Sequence, residues 1–261
     1  MKSFFFALQH LSRIRLYHGE FDEIAFGKSS VFFPLVGLFL GVSLLLARQL
    51  YLLVFPLPVV AALLIVTMVT LTGGIHLDGF MDTFDGMFSG RSAERKLEIM
   101  RDSRVGAFGV LGLVCLMLLK YSAFLALPVQ IITSSIVLAT VLSRWAMVYL
   151  ITFFPYVRKE GLGTLYSLHT GRREFALSTI SAALITLLTT GAAGLIIWVI
   201  LLMVVHLAAL KVKAELGGLT GDIYGATCEG SELIVYLAVF PVYAISPQLF
   251  SSPIHFWVGG F

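Results

Sequence analysis

The chain has 261 residues, of which 58% are hydrophobic and 13% are charged, with a formal net charge of +3. Soluble domains carry roughly 25% charged residues, so this composition excludes an ordinary soluble enzyme and indicates a polytopic membrane protein. Dispersed basic residues exclude a nucleic-acid surface, and Cys115 and Cys228 form neither a disulfide framework nor a CxxC metal site.

Seven apolar runs follow a polar N-terminal segment, residues 1–30, which we expect to lie at the membrane interface. A span takes roughly 20 apolar residues, so the shorter runs must extend into flanking polar residues. Within each of three pairs of runs, the link is very short and contains Pro or Gly, which predicts antiparallel hairpins. The sequence therefore predicts an all-α polytopic membrane protein with about seven transmembrane helices in hairpin pairs, at residues 31–55, 59–72, 108–127, 131–154, 177–190, 194–210 and 233–250.

Charge is distributed unequally between the two ends of these hairpins. The pairing puts the N-terminus and the polar segments 73–107, 155–176 and 211–232 on one side of the membrane. These regions hold all of the Lys and Arg residues outside the apolar runs. The positive-inside rule places this side, with the acidic motifs it carries, in the cytoplasm.

Three basic residues lie inside apolar runs: Arg48, Lys120 and Arg144. An intramembrane arginine such as Arg144 either pairs with an acid or faces a site, or it extends its charged end to the interface. We expect Lys120 and Arg48 to reach the interface or to pack.

Three carboxylates stand out in the first polar segment. Asp78, Asp82 and Asp85 are four and three residues apart, so on a helix they lie within roughly 60° of one another. Ionised carboxylates this close repel, and we expect a cation between them. Mg²⁺ prefers hard oxygen ligands and is often completed by substrate phosphates. A solvated acidic patch is the alternative, but it would carry interleaved Lys or Arg. Nearby His76 could be a base, a ligand or a structural residue.

A stretch dense in charge of both signs, residues 91–109, follows this motif. Alone it could be an ordinary solvated helix. Because a predicted span comes directly after it, Ser103 and Arg104 should lie at a helix N-terminus, where anions bind well. The basic turn that contains Arg158 holds too few glycines to be identified as a phosphate loop.

The last polar segment carries Asp222 and Glu229, which are two helical turns apart on one face. Gly225 and Ala226 lie between them and have almost no side chain. This pattern suits a bulky phosphorylated ligand with a metal, and a small-residue helix contact is the alternative. No HExxH, GxSxG or Walker pattern occurs, which disfavours a zinc protease, a serine hydrolase and a P-loop ATPase.

Five motifs occur in order along most of the chain. They are FPLVG at 33–37, GGIHLDG at 73–79 with Asp82 and Asp85, LEIMRDSRVGAFG at 97–109, SRW at 143–145, and GGLTGD at 217–222 with Glu229 and Glu232. This ordered set resembles the cobalamin synthase family, the adenosylcobinamide-GDP ribazoletransferases. Phe80-Met81 stands where the family more often has Leu-Ala, an exchange that leaves the acids untouched.

The resemblance implies a reaction, a metal and one membrane-embedded transferase domain, residues 1–261, whose catalytic segments are 73–107 and 211–232. The family joins α-ribazole, or its 5′-phosphate, to the corrinoid of adenosylcobinamide-GDP. GMP leaves, and adenosylcobalamin or its 5′-phosphate forms with the help of Mg²⁺. The implied partners are these substrates and the lipid bilayer of the bacterial inner membrane, with no nucleic acid; homo-oligomerisation is left open.

Residue roles follow from the resemblance together with the chemistry of attack on a diphosphate, in which charge accumulates on oxygens that cations stabilise. We expect Asp78, Asp82 and Asp85 to hold one or two Mg²⁺ ions, with Asp222 and Glu229 completing a second ligand set. Either Asp82 or Asp85 instead takes the proton of the ribose hydroxyl. The candidate substrate-binding residues are His76, Arg101, Asp102, Ser103, Arg104, Arg144, Arg158, Thr220 and Gly221.

Two other classes of membrane protein compete with this interpretation. A CDP-alcohol phosphotransferase or an aromatic prenyltransferase also uses Asp-rich motifs and Mg²⁺, but the characteristic patterns of both are absent here. A transporter or channel should carry acids deep within its spans, or inverted repeats. We see no repeat, and every acid lies in a predicted polar segment.

Overall fold

Each of the seven apolar runs forms a helix, and shorter helices form in the polar segments. The structure is a computed structural model that describes residues 2–250, so the two ends of the predicted domain 1–261 lie outside the described residues. The α-helices within this range are α1 Lys2–Leu11, α2 Glu23–Gly27, α3 Phe33–Leu52, α4 Leu57–Thr72, α5 Ile75–Phe88, α6 Ala93–Ile99, α7 Ala107–Ala126, α8 Val129–Phe153, α9 Leu162–His169, α10 Arg172–Thr190, α11 Ala192–Leu216 and α12 Gly221–Ile245. Short 3-10 helices cover Lys28–Phe32 and Pro247–Leu249.

Five of the described segments are long and apolar enough to cross a membrane: Glu23–Leu52, α7, α8, α11 and α12. The bent pair α4 and α5 makes a sixth if it is one broken span. Helix α10 forms where a span is predicted, but it is not in this set, since the charged residues at its start, together with its Ser and Thr side chains, lower its mean hydropathy. The all-α polytopic membrane fold is thus confirmed, whereas the count of about seven spans is not.

The chain turns sharply between α4 and α5, at two glycines. Gly73 and Gly74 have φ angles of 68° and 72°, a left-handed conformation that side chains other than glycine rarely adopt. The two helix axes differ in direction by 95°. The turn carries the first acidic motif away from the line of α4 and onto α12 and α7, against which α5 packs.

Helix α8 lies at the centre of the bundle, and 83% of its most apolar stretch is buried. It packs chiefly on α3, α12 and α10. The closest approach is to α3, where a Cβ atom on Gly37 would lie 2.3 Å from the carbonyl oxygen of Thr140. The first motif, residues 33–37, therefore serves helix packing.

Helix α12 brings the last acidic motif against the first. A Cβ atom on Gly79 of α5 would lie 2.9 Å from both Cα and the carbonyl oxygen of Asp222. A Cβ atom on Gly225 would lie 3.2 Å from the carbonyl oxygen of His76. The predicted polar segment 211–232 is largely helical, because α11 ends at Leu216 and α12 begins at Gly221. The prediction that every acid lies outside the spans is therefore wrong for those on α12.

The N-terminal segment packs on the bundle. Helix α1 buries Phe6, Ala7, Leu8 and Leu11 and contacts α3 and the 3-10 helix Lys28–Phe32. Its location at the membrane interface stays a prediction.

Candidate active site

The three aspartates of α5 have different surroundings. Asp85 is buried, and its two carboxylate oxygens accept hydrogen bonds from the backbone N–H groups of Gly106, at 2.7 Å, and Gly109, at 2.8 Å. A Cβ atom at either glycine would lie within 2.5 Å of this carboxylate. Asp85 therefore satisfies free amides in the first turn of α7, which are the groups a helix leaves unpaired at its start.

This arrangement bears on two predictions. The anion at the start of α7 is the carboxylate of Asp85 itself, so the expected anion-binding place near Ser103 and Arg104 is already filled at these amides. Both oxygens of Asp85 already hold N–H donors, which leaves Asp78 and Asp82 as the more open candidates for a metal ligand or a proton acceptor.

Asp78 and Asp82 are the unpaired members of the motif. Neither side chain has a hydrogen bond or an ion pair with another described residue. Asp78 is exposed and Asp82 is half-buried. Burial and then the negative charges of Asp78 and Asp222 raise the pKa of Asp82 to about 7. The ionised form of Asp82 is therefore poorly compensated by the protein alone.

Asp222 completes this group, and we call Asp78, Asp82 and Asp222 the acidic cluster. Asp222 forms an ion pair with Arg158, which also donates a hydrogen bond of 3.4 Å to the carbonyl of Met100. Thr220 caps the start of α12, and its hydroxyl donates a hydrogen bond of 3.4 Å to Asp222.

Backbone pairing positions Arg158 beside Asp222. Val157 N–H donates to the carbonyl of Leu219 at 3.0 Å, and Leu219 N–H donates to that of Pro155 at 2.8 Å. The segment before α9 is thereby fixed alongside the turn that precedes α12. The structure thus brings the predicted substrate-binding residues Arg158 and Thr220 together at the acidic cluster, with Gly221 next in the chain.

A second set of charges lies deeper in the bundle, and we call it the charge network: Lys120, Arg144, Glu229 and Glu232. Lys120 Nζ lies 2.6 Å from Glu229 and 2.7 Å from Glu232, and Arg144 pairs with Glu232. All four side chains are buried. Of the alternatives left open for Arg144, the structure shows pairing with an acid, and that acid is Glu232 and not one of the aspartates.

The charge network bears on two other predictions. We expected Lys120 to reach the interface or to pack, but its ammonium group is buried between two acids. Glu229 is paired with Lys120, so its predicted role as a metal ligand would require it to exchange this partner. The sequence did contain a signal for this network. Lys120 and Arg144 lie inside apolar runs and need acidic partners, and Glu229 and Glu232 are two acids one helical turn apart.

The remaining predicted substrate-binding residues lie in different settings. His76 is buried, and neither ring nitrogen has a hydrogen-bond partner among the described residues. Asp102 and Arg104 form an exposed ion pair of 2.6 Å, and the hydrogen bonds from Arg104 lower the pKa of Asp102 to about 2. Arg101 and Ser103 are exposed beside this pair. Among the described residues, no hydrogen bond or ion pair joins this exposed segment to the acidic cluster, although Arg158 donates to the carbonyl of the neighbouring Met100.

The acidic cluster fits an open Mg²⁺ site rather than a closed one. Within residues 2–250, no group of three or more His, Cys, Asp or Glu side chains converges to hold a metal ion. Mg²⁺ commonly uses one or two carboxylates and fills its remaining positions with waters and substrate phosphates. Unpaired Asp78 and Asp82 beside Asp222 meet that requirement, and the raised pKa of Asp82 marks a place where a cation would relieve repulsion.

Comparison with known proteins agrees with this site. The family model described as cobalamin-5-phosphate synthase matches residues 3–240. A curated relative from Desulfitobacterium hafniense, named adenosylcobinamide-GDP ribazoletransferase, is 41% identical over 93% of this chain and 98% of its own length. Relatives of the same name from Roseiflexus sp. and Desulforamulus reducens are 42% and 38% identical, covering 82% and 89% of this chain and 79% and 94% of their own lengths.

No solved structure matches the chain. The ordered motifs, the membrane bundle and the extent of the sequence matches nevertheless lead to one assignment. The chain belongs to the cobalamin-5-phosphate synthase family and is a transferase of cobalamin synthesis.

Proposed function

We propose that the chain transfers the corrinoid phosphoryl group of adenosylcobinamide-GDP to α-ribazole or its 5′-phosphate, releasing GMP. The relatives' name, adenosylcobinamide-GDP ribazoletransferase, supports the donor and the acceptor class. The observation that carries the proposal is the acidic cluster, in which two unpaired carboxylates stand beside the Asp222–Arg158 ion pair. Such a group suits the binding of a diphosphate together with a cation.

The reaction requires one proton acceptor and several positive charges. The ribose hydroxyl oxygen attacks the corrinoid-side phosphorus while the bond from that phosphorus to the oxygen of GMP breaks. We assign the hydroxyl proton to Asp82, a half-buried carboxylate that has no hydrogen-bond or ion-pair partner among the described residues and lies beside the negative charges of Asp78 and Asp222. The guanidinium of Arg158 lies where it could stabilise charge on the phosphate oxygens.

Mg²⁺ is the expected metal, and Asp78 and Asp222 are the residues that would hold it. When bound, it would neutralise charge on the diphosphate. Asp222 would then share its carboxylate between the cation and Arg158, as a carboxylate with several lone pairs can do.

We also propose that the enzyme lies in the bacterial inner membrane with its active site facing the cytoplasm. The acidic cluster is formed from α5 and the start of α12, which lie in the polar segments 73–107 and 211–232 on the Lys- and Arg-rich side of the predicted topology. Labelling of single cysteines at Ser92 and Ala192 in intact cells should report opposite sides of the membrane.

The direct test is release of GMP by the purified protein in detergent. With adenosylcobinamide-GDP and α-ribazole, we expect GMP and the joined corrinoid in equal amounts, and no GMP after Mg²⁺ is removed with a chelator. A transporter with interfacial carboxylates would release no GMP under any of these conditions.

A further inference from the structure

A cavity of about 560 Å³ lies between the N-terminal segment and the bend that joins α4 to α5. Its polar wall includes Arg13 and Arg15 from the N-terminal segment and Asp78 from α5, and Gly73 and Gly74 supply bare backbone. The volume falls within the range of roughly 300–1,000 Å³ that is usual for small-molecule sites. None of the sequence motifs includes the two arginines.

Contacts with the bend between α4 and α5 fix the position of Arg13. Its backbone N–H donates a hydrogen bond of 2.7 Å to the carbonyl of Leu71. Its side chain crosses the face of Gly73 so closely that a Cβ atom there would lie 1.9 Å from Nε. The absence of a side chain at Gly73 is therefore what allows the guanidinium to lie along this wall.

The guanidinium groups of Arg13 and Arg15 are exposed and have no partner within the described part of the protein. Neither Arg13 nor Arg15 forms a side-chain hydrogen bond or ion pair with another residue in the range 2–250. By contrast, Arg144 and Arg158 are each paired with a carboxylate. Two unpaired arginines at one cavity offer the forked donors that bind phosphate in bidentate fashion.

Asp78 connects this cavity to the acidic cluster. Its side chain lines the cavity, and its charge is among the causes that raise the pKa of Asp82. A substrate that reaches from the arginines past Asp78 would therefore present its far end to Asp82. The donor diphosphate is already accounted for by the acidic cluster and Arg158, which leaves the arginines to a different phosphate.

We propose that this cavity binds the acceptor nucleoside by its 5′-phosphate, with Arg13 and Arg15 as the phosphate-binding residues. The inference rests on the proposed function, which leaves open whether the acceptor is α-ribazole or its phosphate. It predicts that the ratio of activity with the phosphorylated acceptor to activity with the free nucleoside depends on Arg13 and Arg15 of the N-terminal segment.

The test compares kcat/KM for α-ribazole 5′-phosphate with kcat/KM for α-ribazole, at a fixed concentration of adenosylcobinamide-GDP. In Arg13→Ala and Arg15→Ala, the ratio of the two values should fall by about ten- to a hundred-fold, which is typical for the loss of a charge-assisted hydrogen bond. Arg13→Lys should give an intermediate ratio, because it keeps the charge and loses the fork. Arg91→Ala is the matched control, since Arg91 is exposed, lacks an ion pair among the described residues and does not line the cavity.

Each other outcome contradicts the inference in a recognisable way. Unchanged ratios in both alanine variants would overturn it while leaving the proposed function intact. An equal fall in kcat/KM for both acceptors, together with a raised KM when adenosylcobinamide-GDP is varied at a fixed acceptor concentration, would assign the arginines to the donor instead. An effect that appears only when vesicles contain phosphatidylglycerol would assign them to a lipid headgroup. Failure of the unmodified protein to release GMP with either acceptor would refute the proposed function itself.

Discussion

Asp85 accepts a hydrogen bond of 2.7 Å from the backbone N–H of Gly106, which lies 21 residues further along the chain. The bond ties α5 to the start of α7 and separates Asp85 in role from Asp78 and Asp82. One sequence motif therefore supplies both a helix cap and the open carboxylates of the acidic cluster.

We expect Asp85→Ala to lower the free energy of unfolding by about 1–2 kcal/mol, the usual cost of losing a helix cap, and by more if the buried amides find no water. Asp85→Asn should lose less, because its amide oxygen still accepts one of the two hydrogen bonds. Thermal unfolding in detergent measures both. If Asp85→Ala were as stable as the unmodified protein but did not respond to Mg²⁺, Asp85 would be a metal ligand after all.

Asp82→Asn should abolish GMP release while the protein stays folded. Its effect on stability should depend on pH. The pKa of Asp82 is about 7 in the folded protein and lies above the ordinary value of 3.8. As pH rises, the unfolded chain therefore loses this proton before the folded protein does. The stability of the unmodified protein falls between about pH 4 and about pH 7 as a result. The variant should thus unfold at a higher temperature than the unmodified protein at about pH 8 and at a similar temperature only at or below about pH 4. Near-normal turnover would remove Asp82 from the mechanism.

The charge network predicts a graded loss of stability. Glu232→Gln removes the carboxylate that Lys120 and Arg144 share, and breaking a buried ion pair typically costs about 3–5 kcal/mol. Glu229→Gln should cost less, because Lys120 keeps Glu232 as its partner. Glu98→Gln, in an exposed pair with Arg95, is the control and should change stability by less than about 1 kcal/mol. Equal losses in the first two variants would contradict this division of partners.

The contact of α5 with α12 should tolerate no side chain at Gly79. In Gly79→Ala the new methyl would meet the backbone of Asp222, which cannot rotate away, so we expect the two helices to separate, GMP release to fall and the unfolding temperature to drop. Gly230→Ala, also on α12, meets nothing within 4 Å and should retain stability. Activity in Gly79→Ala equal to that of Gly230→Ala would show that this contact does not position the acidic cluster.

Mg²⁺ should stabilise the folded protein through the acidic cluster. We expect its addition to raise the unfolding temperature of the unmodified protein, because a ligand that binds only the folded state shifts the equilibrium toward it. Asp78→Asn should weaken this response, whereas Glu229→Gln should keep it, since Glu229 belongs to the charge network. An equal response in all three proteins would place the ion elsewhere.

Periodicity and hydropathy predicted a helix in each of the seven apolar runs. They did not predict every helix pair, because α8 packs chiefly on α3, α12 and α10 whereas α7 packs chiefly on α5, α4 and α12, although a short link joins α7 to α8. Spacing also predicted that Asp78, Asp82 and Asp85 share a face of one helix, but it could not show that free amides of α7 bind one of them. That pairing depends on the tertiary position of Gly106. The apolar run that begins at residue 233 hid the continuity of α12, so Glu229 was assigned to a polar segment although it is buried opposite Lys120.

The sequence predicted the carboxylates of the site better than its arginines. Arg158 reaches Asp222 through backbone pairing between Val157 and Leu219, a contact across more than sixty residues that has no local signal. Arg13 was missed because the N-terminal segment contains none of the motifs, and only the fold places it against Gly73.

The charge network also constrains how the protein is made. Lys120 is on α7, Arg144 is on α8, and both compensating acids are on α12, the last long helix of the described chain. During synthesis the first two helices enter the bilayer before either counter-charge exists, and each bears an unmatched cation there. A nascent chain that stops short of α12 is left with two such cations, a defect that membrane proteases could recognise in incomplete chains.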